Sequence, residues 1–168
     1  MRLLIYCTQL IDNLNEKIGY ATSWLTNIMV IVVCYDVFTR YVLKKSSVAV
    51  QELEWHLFAV IFLIGAAYTL KHDKHVRVDI LYARFSPRVK AYINLFGSLI
   101  FLIPFVVLII WTSKEYVANS FTVREISPDP GGLPARYVLK GCIPLGAFLL
   151  LLQGISMVFK SILTIFNK

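Results

Sequence analysis

Charge is missing from four long stretches of this chain. Residues 18–35, 55–70, 91–113 and 141–159 contain no Asp, Glu, Lys or Arg. All ten carboxylates lie outside these runs, so no acid sits mid-run, where a proton-coupled four-helix exporter needs one. Cysteine is scarce as well. Cys7, Cys34 and Cys142 show no ligand spacing, and the last two fall inside apolar segments, where a thiol behaves as a small hydrophobe. A disulfide framework and a cysteine metal cluster are thereby excluded. The chain has no Gly-x-x-x-x-Gly-Lys-Ser/Thr phosphate loop. No His stands beside a Ser or Cys in a context that would activate a nucleophile.

Apolar side chains are abundant instead. They make up 58% of the 168 residues, and the mean hydropathy is +0.68, which leaves too little polar surface to cover a water-soluble globule. The charge-free runs are close to the ~20 residues a bilayer-crossing helix needs. They predict an all-α integral membrane protein, a single domain over 1–168. Its four transmembrane helices are expected at about 18–43, 49–70, 88–114 and 137–160, with an outer loop at 115–136. Lys44 to Val48 is short enough to force a helical hairpin. Ser86-Pro87 is a start signal for the third span, and Pro104 should kink it. Three prolines and two glycines rule out regular helix from Ser127 to Pro134, which reads as a shaped, rigid surface.

Residues 1–17 place Leu3, Cys7, Leu10, Ile11 and Leu14 at helical spacing, with Gln9, Asp12, Asn13 and Glu16 on the other side. An amphipathic interfacial helix fits this pattern, and a frayed polar leader is the alternative. A second, short interfacial segment is expected between spans two and three. There Val76, Val78, Ile80, Leu81 and Phe85 are interleaved with basic residues.

The net charge of +7 would suggest nucleic acid in a soluble protein. Here the basic residues cluster between apolar runs without aromatic interleaving, so phospholipid head groups are the expected partner and nucleic acid is not. Four spans put both termini and the middle turn on one side. That side carries ten of the 17 basic residues, which predicts cytoplasmic termini.

Few residues could carry chemistry. His72, Asp73, His75 and Asp79 have zinc-ligand types but no zinc spacing, and a solvated turn accounts for them. His56 lies a span's length, ~30 Å, from His72 and His75, so they cannot sandwich one haem. Asn94, Ser98 and Gln153 are expected to hydrogen-bond between helices. Asp36 and Arg40 are four apart and share a helix face. Arg40 and Glu52 end paired helices at the same membrane face, so either an internal ion pair or docking to another membrane protein is open for them, and Glu54 lies beside them.

Several short motifs recur in one order. Thr39-Arg40-Tyr41 closes span one, Gln51-Glu52-Leu53 opens span two, and His75-Val76-x-Val78-Asp79 follows it. Pro130-Gly131-Gly132-Leu133 precedes span four, which carries Ile143-Pro144. Over nearly the whole chain this pattern resembles the small membrane subunit of tripartite ATP-independent periplasmic (TRAP) transporters, the DctQ-type family. The resemblance implies an accessory subunit in a bacterial inner membrane, without catalysis and with no cofactor of its own. Sodium ions would belong to a large membrane subunit that moves an organic acid delivered by a periplasmic substrate-binding protein. The small subunit would clamp the scaffold of the large one and share in docking the binding protein. Asp36, Arg40, Glu52, Glu54, His75 and Asp79 are then candidates for structural or partner contacts. Arg124, Glu125, Asp129, Gly131, Gly132 and Arg136 are candidates for outer-loop docking, and Arg84, Arg88 and Lys90 for lipid phosphates. Gln51 departs from the family, which often has a second Glu there, so a role needing two adjacent carboxylates is not carried over. Two other classes are left as alternatives: an independent small transporter or channel, and a membrane redox subunit.

Overall fold

The computed structural model describes residues 2–73, 82 and 84–166. Among them are four helices long and apolar enough to cross a membrane. These are α1 (Arg2–Tyr41), α2 (Val48–Lys71), α3 (Pro87–Thr122) and α4 (Arg136–Phe166). Helix α4 is the hub: it packs against each of the other three, while α1 also pairs with α2. Accordingly 39% of the most apolar window of α4 is buried, against 11% in each of the others.

Inside the bundle small and polar residues share the space with a few aliphatics, Ile64, Leu70, Val106, Leu149 and Val158, and the outside is apolar. Ala67, Ala91, Ala147, Ser98, Ser113, Ser156 and Gln153 are buried, whereas Trp24, Phe62, Phe101 and Trp111 are exposed. Helices surrounded by lipid gain nothing by hiding large hydrophobes, so their contacts go to small residues that bring backbones close and to hydrogen-bonding side chains. Two glycines show how tight the approaches are. A Cβ on Gly19 would collide with the Tyr68 ring, and one on Gly146 with the Leu63 carbonyl oxygen.

Helix α1 differs from the expected layout. The segment predicted as a separate surface helix, 1–17, runs without a break into the first span. Forty residues at ~1.5 Å each make ~60 Å, twice the hydrocarbon core. Its polar residues divide: Thr8 and Asn15 are buried and Asp12 and Glu16 half-buried, while Gln9 and Asn13 are exposed along with Tyr6, Leu10 and Leu14. The physical reason is that Asp12 and Asn15 find partners on α4, described below.

Helix α3 begins as the sequence signals. The Ser86 hydroxyl accepts from the Val89 N–H at 3.4 Å and Pro87 occupies the first turn. Before Pro104 the helix widens into a π turn over Ser98–Leu102, closed by the Ile103 N–H on the Ser98 carbonyl. Proline has no N–H for the carbonyl four residues back and its ring crowds that turn, so one wider turn absorbs the misfit. The helix then continues to Thr122, which shortens the non-helical connection to 123–135. The interfacial segment expected between spans two and three lies mostly outside the described residues, as do His75 and Asp79.

Candidate functional site

Glu52 sits in the second turn of α2, only 4% exposed, at the bundle end that carries the 42–47 and 123–135 connections. Its carboxylate is the anchor on which the long connection folds. One oxygen accepts from the Ser127 hydroxyl at 2.5 Å and lies 3.6 Å from the Arg136 guanidinium. The other accepts from the Leu133 N–H at 2.6 Å. A buried carboxylate needs such donors, and here two of the three come from a loop.

The loop is closed on itself as well. The Ser127 N–H donates to the Leu133 carbonyl at 3.1 Å, and the Gly132 N–H to the Asp129 carbonyl at 3.0 Å. The neck is shut by the Arg136 N–H on the Glu125 carbonyl, 3.0 Å. Arg124 and Ala135, at the two ends, hold left-handed backbone conformations with φ of 47° and 62°, and Gly131 at the tip holds 79°. Gly132 is required for a different reason. A Cβ there would lie 2.8 Å from a Glu52 carboxylate oxygen and would collide with the Ser127 side chain.

Beside this anchor runs a second cluster. The Glu125 carboxylate pairs with the Lys140 ammonium and accepts from the Ser120 hydroxyl at 2.6 Å. Lys140 also sits 4.1 Å over the Tyr116 ring, and Arg136 sits 5.5 Å over Trp55. The hydrogen bond from Lys140, then that from Ser120, holds the Glu125 carboxyl below the usual carboxylate range, with burial opposing. The chain Glu52, Arg136, Glu125, Lys140 thus alternates in sign across α2, the loop and α4. Trp55, Tyr116 and Ile143 help line a cleft of about 260 Å³ next to it.

The other predicted residues divide. Asp36 is buried and paired with Arg40 one turn on, so the Arg40–Glu52 pair considered from the sequence is not formed. The reason is local: an acid four residues away on the same helix satisfies Arg40, while the loop satisfies Glu52. Glu54 is half-buried, and one of its oxygens has no hydrogen-bond partner among the described residues. Arg124, Asp129 and Gly131 lie exposed on the loop surface. Arg84 and Arg88 are exposed at the opposite end, and Lys90 lies 5.3 Å over the Tyr82 ring.

At that opposite end, which carries the termini, a second polar network emerges. Asp12 accepts from Gln153 at 3.1 Å, Ser156 at 3.0 Å and Lys160 at 2.5 Å, and the Asn15 amide donates to Gln153 at 2.7 Å. Glu16 takes Lys71 at 2.5 Å and His72 at 2.9 Å. Sequence reasoning reached Gln153, a lone amide in a charge-free run, but none of its partners. It also missed Ser127, the Leu133 N–H and Lys140. Their common signal is only that each lies in or beside the connection between the third and fourth helices.

Four apolar helices with polar ties between them define an integral membrane component. The family model for the DctQ component of tripartite ATP-independent periplasmic transporters matches residues 29–164, and the chain belongs to that family. It is therefore a small membrane subunit of a TRAP transporter, in a family of transport components rather than enzymes. No curated protein matches the sequence.

Proposed function

We propose that this chain is the accessory small subunit of a sodium-coupled TRAP transporter for organic acid uptake, binding the scaffold of the large transport subunit. In this reading the loop 123–135 is part of the surface on which a periplasmic substrate-binding protein docks. The observation that carries the docking role is the loop clamped on Glu52. Its backbone is fixed from within, so Arg124, Asp129 and Gly131 are presented in a set shape that needs little ordering on contact. The basic-residue bias supports cytoplasmic termini, which puts this loop on the periplasmic side. Sodium ions and substrate then belong to the large subunit and the binding protein, and the apolar outer face of the bundle meets lipid and the scaffold.

Two experiments test this. Tagged chain purified in mild detergent from its own host's membranes should bring down a stoichiometric, larger polytopic protein; purification alone would reject the accessory role. With that complex in hand, a photo-crosslinker at position 129 should capture the periplasmic binding protein, and one at position 88 should not. The reverse pattern would reject the docking surface.

A further inference from the structure

We infer that the bundle end carrying the termini holds a site for the head group of an anionic phospholipid. Three helices converge there: Leu70 and Lys71 of α2, Pro87 and Lys90 of α3, and Met157 and Lys160 of α4 border a cleft of about 340 Å³. That volume lies within the ~300–1,000 Å³ range of small-ligand sites. A second cavity adjoins it, sharing Pro87 and Thr164 and adding Ser86 and Arg88.

Depth argues for a lipid over a soluble anion. The charge-free run of α2 ends at Leu70, that of α3 begins at Ala91, and that of α4 ends at Phe159. The cleft therefore straddles the level where hydrocarbon gives way to head groups. Its lining is mixed to match: Leu70 and Ala91 are buried apolar residues, and Lys71, Lys90 and Lys160 border the same cleft.

Charge argues for an anion. Lys71, Lys90, Lys160 and Arg88 border the two cavities, with Asp73 the acid on their lining among the described residues. Lys71 and Lys160 are held by Glu16 and Asp12, each at 2.5 Å. Those pairs aim the ammonium groups without exhausting them, because each carries three N–H donors. The cleft also lies at the N-terminal, positive end of the long helix α3. A phosphate diester against the ammonium groups with its glycerol ester over Leu70 and Ala91 satisfies both halves.

The test is native mass spectrometry of the delipidated full chain, offered phosphatidylglycerol or phosphatidylcholine with the same acyl chains. One phosphatidylglycerol should be retained about tenfold more strongly than phosphatidylcholine, and the paired substitutions Arg88→Gln and Lys90→Gln should erase that preference. Thr164→Trp, which narrows the wall shared by the two cavities, should do the same if the charge variant folds poorly. Equal retention of both lipids would overturn the site, as would a preference that survives both variants. Thermal stabilisation by inorganic phosphate equal to that by phosphatidylglycerol would overturn the lipid assignment in favour of a free anion. The result does not depend on whether a large subunit co-purifies.

Discussion

The two ends of the bundle hold acids in opposite ways. At the loop end, Glu52 is held by donors from a connection 75 to 81 residues away, one of them a backbone N–H. At the end carrying the termini, Asp12 is held entirely by side chains of one face of α4, namely Gln153, Ser156 and Lys160. In the first case the acid shapes a backbone; in the second it joins two helices. Removing the first should change the surface presented by the loop and leave the bundle standing. Removing the second should loosen the bundle and leave the loop alone.

The sharpest break is at Glu52. Glu52→Ala strips the acceptor from Ser127, Leu133 and Arg136 together, so the Leu133 amide should exchange with deuterium at least about tenfold faster. Exchange across α4 near Gln153 should be unchanged. If both regions speed up together, the two ends are one cooperative unit and the contrast fails. Gly132 reports on the same anchor from the loop side. Gly132→Ala forces a Cβ against Glu52 and Ser127 and should unseat the loop nearly as fully. Gly131→Ala, with open space around it, meets only the left-handed backbone penalty of roughly 1 kcal/mol. Limited proteolysis of the loop ranks the two, and a more sensitive Gly131→Ala variant would reject the close-approach argument.

Gln153 tests the other end, with a smaller effect. Gln153→Leu keeps the volume but removes the acceptor for Asn15 and one donor for Asp12. Interhelical hydrogen bonds in membranes average only about 0.6 kcal/mol, so two of them predict a loss of about 1 kcal/mol. Thermal unfolding in detergent should shift down by a few degrees while the exchange rate of the Leu133 amide stays put.

The same contrast explains what could be read beforehand. Spans were legible because the charge-free runs are long, and the start of α3 because Ser86-Pro87 is a local signal that the structure uses. Pro104 was legible as a disturbance, and the π turn is the form it takes. Gly131 and Gly132 marked the loop as shaped, but the two need glycine for unrelated reasons, one for its φ and one for space beside a residue on another helix. Partner choice was not legible. Pairing Arg40 with Glu52 followed from matching helix ends, and the nearer acid, Asp36, takes precedence because it is already one turn away. The polar side of residues 1–17 reads in isolation as facing water. Yet α4, more than 130 residues later, takes Asp12 and Asn15, and the end of α2 takes Glu16, while Gln9 and Asn13 do stay exposed.

Glu125 offers the gentlest perturbation, because it is removed by pH and not by mutation. Its folded-state pKa is lowered, chiefly by the hydrogen bond from Lys140. The tie then contributes fully above the ordinary glutamate range and is lost as pH falls through the lower folded value. Acidification should therefore release the Glu125–Lys140 contact only at pH below that ordinary range, and Tyr116, under the Lys140 ammonium, should report it as a change in fluorescence. Because the pair is partly solvated, the effect should be small and should shrink with salt. Glu125→Gln should abolish the acid transition at Tyr116 and leave the Leu133 amide protected. If the substitution exposes that amide too, Glu52 and Glu125 act as one network, and the loop end has a single anchor made of two acids.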